Sequence, residues 1–222
     1  GADELIYLDT VASLYGRQNL LDIVNQTSNN IFIPFTVGGG VRTLDDIRSF
    51  LKAGADKVAI NTAATKNPGL ITKSAKMFGS QCIVISIEAK KIADDKWEAY
   101  RDDGREKTGL DVVQWARKVE KLGAGEILLT SVDQEGTEAG YDLELIKRVS
   151  EVVSIPVIAC GGAGRIEDFV SCAEIGNIDG LATASLLHYN KIEIAQIKNA
   201  LSKQGINIRK VASANVKAKP VT

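Results

Sequence analysis

Three carboxylates fall where apolar runs give way to polar loops: Asp9 after Leu5-Ile6-Tyr7-Leu8, Glu88 after Ile83-Val84-Ile85-Ser86-Ile87, and Asp133 shortly after Leu128-Leu129-Thr130-Ser131. Carboxylates so placed are acid–base candidates, able to hold or release a proton beside a bound substrate. Glu88 is the most pointed of them, because it interrupts a strongly apolar run, where a buried carboxylate is expensive unless paired or used. Its alternative is a salt bridge to Lys90 or Lys91, and that of Asp133, in the loop with Gln134-Glu135-Gly136-Thr137, is a turn-shaping role. Two other groups suit phosphate: Gly39-Gly40 with Asn61-Thr62, and Gly161-Gly162-Ala163-Gly164 with Ala184-Ser185. A Gly-rich turn and a small hydroxyl residue bring N–H and O–H donors to one point, and helix N-termini strengthen the attraction. A single triplet reads equally as a tight βα turn. Two in matched register favour a ligand with a phosphate at each end.

These groups need strands to present them. Near-continuous apolar runs at 5–9, 33–37, 57–61, 83–88, 126–131, 156–160 and 180–184 read as seven parallel strands covered on both faces. Amphipathic segments alternate with them. Thr43 caps a helix that stops at Gly54, Asn67-Pro68 opens one that ends near Gly79, and others are expected over 111–122, 142–153, 166–175 and 192–203. An excursion over 90–108, with the turn signal Asp102-Asp103-Gly104, reads as a β-hairpin on the rim. The alternation is that of an α/β parallel sheet. In a parallel barrel the functional face lies at the strand C-termini, where this list also places Thr130. At the opposite ends lie Glu4, Lys57 and Glu126, a candidate ring of charges at the barrel floor. His188 reads as a surface residue, and Cys160, with no histidine as its base, as a small wall residue.

The strongest feature is an internal repeat. Ile33-Pro34 followed by Val37-Gly38-Gly39-Gly40 recurs 122 positions later as Ile155-Pro156 followed by Ala159-Cys160-Gly161-Gly162. At the same offset Glu4 falls on Glu126, Leu44-Asp45-Asp46 on Ile166-Glu167-Asp168, and Gly54 on Gly176. The second copy holds four strand units and the first only three. The reading is a (β/α)8 TIM barrel of two repeated halves, occupying residues 1–210, with its first βα unit missing from the sequence. Residues 211–222 read as a polar, disordered tail.

Composition narrows the function. Lys+Arg 27 against Asp+Glu 28 leave a net charge of -1, with no field to attract nucleic acid or an anionic membrane. Three unspaced cysteines and one histidine supply neither a disulfide framework nor a zinc site, and they suit a reducing, cytoplasmic setting. No metal or cofactor is called for. No apolar run approaches the roughly 18 residues of a membrane span. The sequence enters its first apolar run without a Met or a leader, as if beginning mid-domain.

With those residues in view, the sequence resembles the cyclase subunit of imidazole glycerol phosphate synthase, the HisF family. The resemblance is carried by Phe35-Thr36-Val37-Gly38-Gly39-Gly40, by Gly54-Ala55-Asp56-Lys57-Val58 with Ile60-Asn61-Thr62-Ala63-Ala64, and by Gly79-Ser80-Gln81. Gly123-Ala124-Gly125-Glu126-Ile127-Leu128-Leu129-Thr130-Ser131 and Gly161-Gly162-Ala163-Gly164 extend it, and it runs from residue 1 to about Arg209. It implies that ammonia from a glutaminase (HisH-like) partner attacks a bisphosphorylated aminoimidazole carboxamide ribonucleotide, PRFAR, giving imidazole glycerol phosphate and AICAR. By position, Gly40, Asn61 and Thr62 would hold one phosphate and Gly162, Ala184 and Ser185 the other. Glu4, Lys57 and Glu126 match members of the ammonia gate, while Asp56 and Gln81 fall on the partner-facing side.

Two departures bear on catalysis. Of the family's two catalytic aspartates, one ends a first strand that precedes this sequence, together with a lysine-bearing loop and the gate arginine, and the other maps to Glu88, one methylene longer. A misplacement near 1 Å costs roughly a hundredfold in rate, so the expectation is an impaired cyclase, a truncated form of a fuller protein. Two other readings stand beside it: a paralogue supplying ammonia for sugar amidation in surface-polysaccharide synthesis, and an inactive scaffold.

Overall fold

The computed structural model describes residues 1–9 and 17–209. Seven parallel strands follow one another in a curled sheet: β1 (Leu5–Leu8), β2 (Phe35–Gly38), β3 (Lys57–Ile60), β4 (Ile83–Ala93), β7 (Glu126–Ser131), β8 (Val157–Cys160) and β9 (Gly180–Leu181). Among the described residues β1 and β9 are the two edges of this path and do not pair with each other. The main helices are α1 (Arg17–Ser28), α2 (Leu44–Lys52), α4 (Gly69–Phe78), α5 (Val112–Lys121), α6 (Leu143–Ser150), α7 (Ile166–Ala173) and α9 (Ile194–Lys203). Two short ones, α3 (Thr62–Lys66) and α8 (Ser185–His188), follow β3 and β9 directly. None of the described helices is long and apolar enough to cross a membrane. The tail expected at 211–222 lies outside the described residues.

The apolar runs are continuous because each strand serves two cores. Alternate residues such as Val58, Ile60, Ile83, Ile85, Ile87, Ile127 and Leu129 pack outward with Ile47, Phe50, Val119 and Val149 of the helices. The residues between them, Ala59, Val84, Leu128 and Ile158, form a second, smaller cluster with Ile6, Cys160 and Ala182. Fully burying a Val or Leu is worth about 1.5–3 kcal/mol.

Strand limits differ from expectation at the prolines and at the end. β2 and β8 start after Pro34 and Pro156, which have no N–H to give a ladder and instead accept at their carbonyls, from Leu5 and Ile127, both at 2.9 Å. β9 shrinks to two residues because the chain turns from Ala182 toward α8, although the Ala182 N–H still donates to Ala159 O at 2.8 Å. The rim excursion is a three-stranded meander instead of one hairpin. β4 runs on to Ala93 and pairs antiparallel with β5 (Lys96–Arg101), which pairs with β6 (Glu106–Asp111). The buried Trp97 pegs it down, its Nε1 donating to Asp142 Oδ2 at 2.9 Å, while Asp142 Oδ1 caps α6 by accepting from Leu145 N at 3.1 Å. α1 was not marked by apolar periodicity. Among its described side chains, 20–28, Leu20 and Val24 are the buried ones, too few to make a stripe.

The repeat is physical as well as textual. Phe35 N–H donates to Asp56 Oδ2 at 2.8 Å, and Val157 N–H to Asp179 Oδ2 at 2.9 Å. Before α2, Arg42 and Thr43 N–H both reach Asp46 Oδ2 at 2.8 Å; before α7, Gly164 and Arg165 N–H reach Asp168 Oδ2 at 2.8 and 3.0 Å.

Candidate active site

Glu88 stands at the C-terminal end of the parallel part of β4, near Asn61 after β3 and Glu135 after β7. It sits where β4 leaves the parallel sheet, in register with Thr130 of β7, which is in turn in register with Cys160 of β8. Glu88 is half-buried, and its Oε2 accepts from Gly104 N–H at 2.7 Å. Burial raises its pKa above the ordinary carboxylate range; the hydrogen bonds of Gly104 and Asn61 pull the other way, and Asp103 and Glu135 push it further up. The lysines offered as salt-bridge partners turn elsewhere. Lys90 lies 5.6 Å from the Tyr100 ring centroid, and Lys91 lies 5.3 Å from that of Trp97 and 3.7 Å from Glu144.

The other carboxylates divide. Asp133 is drawn to the rim, where its Oδ2 accepts from Lys91 N–H at 2.7 Å and fastens the extension of β4. Asp9 follows β1, donates its N–H to Gly38 O at 3.0 Å, and faces Asp103 electrostatically. Glu135, not singled out from the sequence, shares the field of Glu88 and Cys160, and burial and then Asp103 raise its pKa. Asp103 was also missed. Both lie in turns, where an acidic residue reads as solvated; only the glycines beside them, Gly104 and Gly136 with φ of 73° and 75°, signalled that the chain doubles back there. Burial pushes the Cys160 thiol up, away from nucleophilic use.

The two glycine turns have matched geometry. Gly39 has φ 108°, and a Cβ there would lie 2.3 Å from Asp9 O; Gly161 has φ 93°, with Ser131 O at 2.9 Å from such a Cβ. Each turn thus rests on the end of the preceding strand. Gly162 O also accepts from Gly140 N–H at 2.8 Å. Asn61 precedes α3 with φ −118°, ψ −81°, and Ala184 precedes α8 with φ −126°, ψ −61°. Neither makes a side-chain cap, so Thr62 and Ser185 begin short helices in equivalent settings. Gly40 adds a further left-handed residue, φ 63°.

At the opposite end Lys57 Nζ reaches Glu4 Oε2 at 2.9 Å and Glu126 Oε2 at 2.6 Å. Burial alone would lower the Lys57 value, but the hydrogen bonds to Glu126 and Glu4 outweigh it and raise the pKa. Burial pushes the Glu126 carboxyl up against the pull of Lys57, and its Oε1 is buried without a hydrogen-bond partner. Thr36 Oγ1, on β2 in register with Lys57 of β3, is likewise buried and unpartnered. Below this ring lies a cavity of about 610 Å³ lined by Phe32, Pro34, Asp56, Lys57 and Gln81, with Phe32 97% exposed. Among the described residues no group of three or more His, Cys, Asp or Glu is arranged to hold a metal ion.

A family model described as "Histidine biosynthesis protein" matches residues 1–193. The chain is 67% identical over 169 residues to the imidazole glycerol phosphate synthase subunit HisF of Legionella pneumophila, covering 76% of this chain and 80% of that protein. It is 53% identical over 210 residues to the subunit of the same name from Alkaliphilus metalliredigens, covering 95% and 83%. The corresponding protein of a Hydrogenobaculum species is 51% identical over 208 residues, covering 94% and 82%.

Proposed function

Since the chain belongs to the histidine biosynthesis protein family, we propose that it is the cyclase subunit of an imidazole glycerol phosphate synthase, a lyase that joins ammonia to PRFAR and releases imidazole glycerol phosphate and AICAR. The observation that carries this reading is the half-buried Glu88 where β4 leaves the parallel sheet, with the two matched glycine turns on β2 and β8, two strands away on either side. Gly39, Gly40, Asn61 and Thr62 hold one phosphate of the substrate, and Gly161, Gly162, Ala184 and Ser185 the other. Glu88, whose carboxyl burial pushes above its ordinary value, acts as general acid or base toward the substrate. Thr130 orients the ligand beside it. Asp9 and Asp133 flank the mouth as secondary carboxylates, Asp133 through the β4 rim that it fastens.

Ammonia enters from the other end. A HisH-like glutaminase docks on the face that carries Asp56, Gln81 and the cavity beside Phe32, and Lys57, Glu4 and Glu126 form the gate. Uncharged ammonia then passes between Thr36, Ala59, Val84 and Leu128, a largely apolar interior in which ammonium would lose most of its hydration. Residues 1–210 act as one domain, in the cytoplasm. The longer arm of Glu88 makes turnover slow.

The test is ammonia-dependent consumption of PRFAR with release of AICAR, by the chain itself and by a form extended with the βα unit that the family carries before this region. Turnover that drops at least a hundredfold in Glu88→Gln supports the reading. Equal turnover in that variant removes Glu88 from the chemistry, and no turnover in either form, despite phosphate binding, removes the cyclase assignment.

A further inference from the structure

The turn between β5 and β6 takes its hydrogen bonds from the mouth itself. Gly104 N–H donates to Glu88 Oε2 at 2.7 Å, Asp102 N–H donates to Thr62 Oγ1 at 3.3 Å, and Asn61 Nδ2 donates to Tyr100 O at 3.3 Å, just before the turn. Three residues given roles in proton transfer and phosphate binding are therefore engaged by the chain's own backbone. We propose that residues 102–105 form a latch that closes the mouth over Glu88 and the Asn61–Thr62 cradle, and that a phosphate group entering the cradle displaces it. The proposal rests on the reading of Asn61 and Thr62 as a phosphate site.

Two physical features make the closed turn releasable. Asp102, Asp103 and Gly104 have φ of 54°, 55° and 73°, three consecutive left-handed residues of which two carry a Cβ that disfavours that region. Closure also brings like charges together. Asp103 faces Asp9 at the end of β1 and lies in the field felt by Glu88 of β4 and Glu135 after β7, with Asp102 beside it and Arg105 as the cation of its own turn. The flanking Arg101–Glu106 pair, at 2.7 Å, lies across the base of the turn and leaves the two strands joined when the tip moves. A dianionic phosphate on Thr62 would sit beside the turn whose Asp102 amide that hydroxyl now accepts from, and its charge would oppose those of Asp102 and Asp103, so its entry drives the turn away.

The experiment is amide hydrogen exchange on the full chain while inorganic phosphate is titrated against chloride at constant ionic strength. The exchange of the Asp102 and Gly104 amides should speed up severalfold, with the same midpoint as the perturbation of the Thr62 amide. A second protein replaces residues 102–105 with a two-residue Asn-Gly turn between the paired Arg101 and Glu106, and it should bind phosphate at least threefold more tightly. Phosphate binding at Thr62 with unchanged Gly104 exchange, or with equal affinity in both proteins, overturns the latch and leaves the phosphate site standing. Absence of any Thr62 response in both proteins removes the phosphate site, and the latch with it.

Discussion

Replacing Lys57 with Met should turn the floor from a support into a fault. Lys57 is shared by two carboxylates of unequal burial, the side chain of Glu126 being 9% exposed and that of Glu4 36%. The Glu4 arm resembles a surface pair, worth about 0–1 kcal/mol. The Glu126 arm is different: Oε1 is already buried without a partner, so loss of Lys57 strands a whole carboxylate in the interior. Breaking a buried pair from one side costs about 3–5 kcal/mol. With Lys57 itself 17% exposed, some water reaches the site, and about 3 kcal/mol is the expected loss for Lys57→Met. At this chain length that corresponds to roughly 6–12 °C in Tm. The assay is urea unfolding, read as a fall in midpoint at constant slope. The deficit should shrink as pH falls through the Glu126 value, which burial raises, because protonation removes the stranded charge. Lys57→Met with Glu126→Leu should recover most of the loss, since apolar replacement of both partners is often near neutral. A loss below 1 kcal/mol, or a double variant no better than the single one, would refute the reasoning.

Three further outcomes follow from the geometry. Asp142→Ala removes a helix cap and leaves the buried Trp97 N–H unpaired, for a combined loss of about 2–4 kcal/mol in urea unfolding, whereas Asp142→Asn keeps an acceptor and should lose less than half of that. Gly39→Ala forces a Cβ to 2.3 Å from Asp9 O at φ 108° and should lower stability by about 3 kcal/mol, against about 1 kcal/mol for Gly136→Ala, whose surroundings are open and whose cost is that of the left-handed φ of 75° alone. Glu135 has a raised folded pKa from burial and from Asp103, so the folded state is favoured while it is protonated, fully below the unfolded value of about 4.3, and loses that contribution as pH rises through the raised folded value. Glu135→Gln should therefore match the wild type in acid and exceed its Tm at pH 8; equal melting curves at both ends would show that the carboxylate is not burdened in the fold.

How much was legible depended on how local each signal was. The repeat, the parallel strands and the pairing of glycine turns with Asn61-Thr62 and Ala184-Ser185 are written in short segments, and the strands stand within a few residues of where they were expected. Glu88 could be singled out because an acid in an apolar run is locally anomalous. Asp133 looked equivalent, yet its place is decided by a backbone donor at Lys91, forty-two positions away. Asp103 and Glu135 were hidden for the same reason. Each sits in a polar turn, and only the folding of the rim over the mouth turns them into neighbours of Glu88. The Trp97–Asp142 contact spans forty-five positions and could not be anticipated from either residue alone.

The clamps at Asp46 and Asp168 have a consequence for binding entropy. Each carboxylate holds two successive backbone N–H groups immediately after a glycine turn, one set at Arg42 and Thr43 and the other at Gly164 and Arg165. Those loops are thus ordered by the helix that follows them, before any ligand arrives. A ligand seated there gives up its own freedom but does not have to freeze the receptor, which is the usual source of lost affinity in loop-built sites. On the proposed reading of the two turns as phosphate sites, preorganisation of this kind favours slow dissociation at the two ends of the substrate and leaves its middle as the part with freedom to change shape.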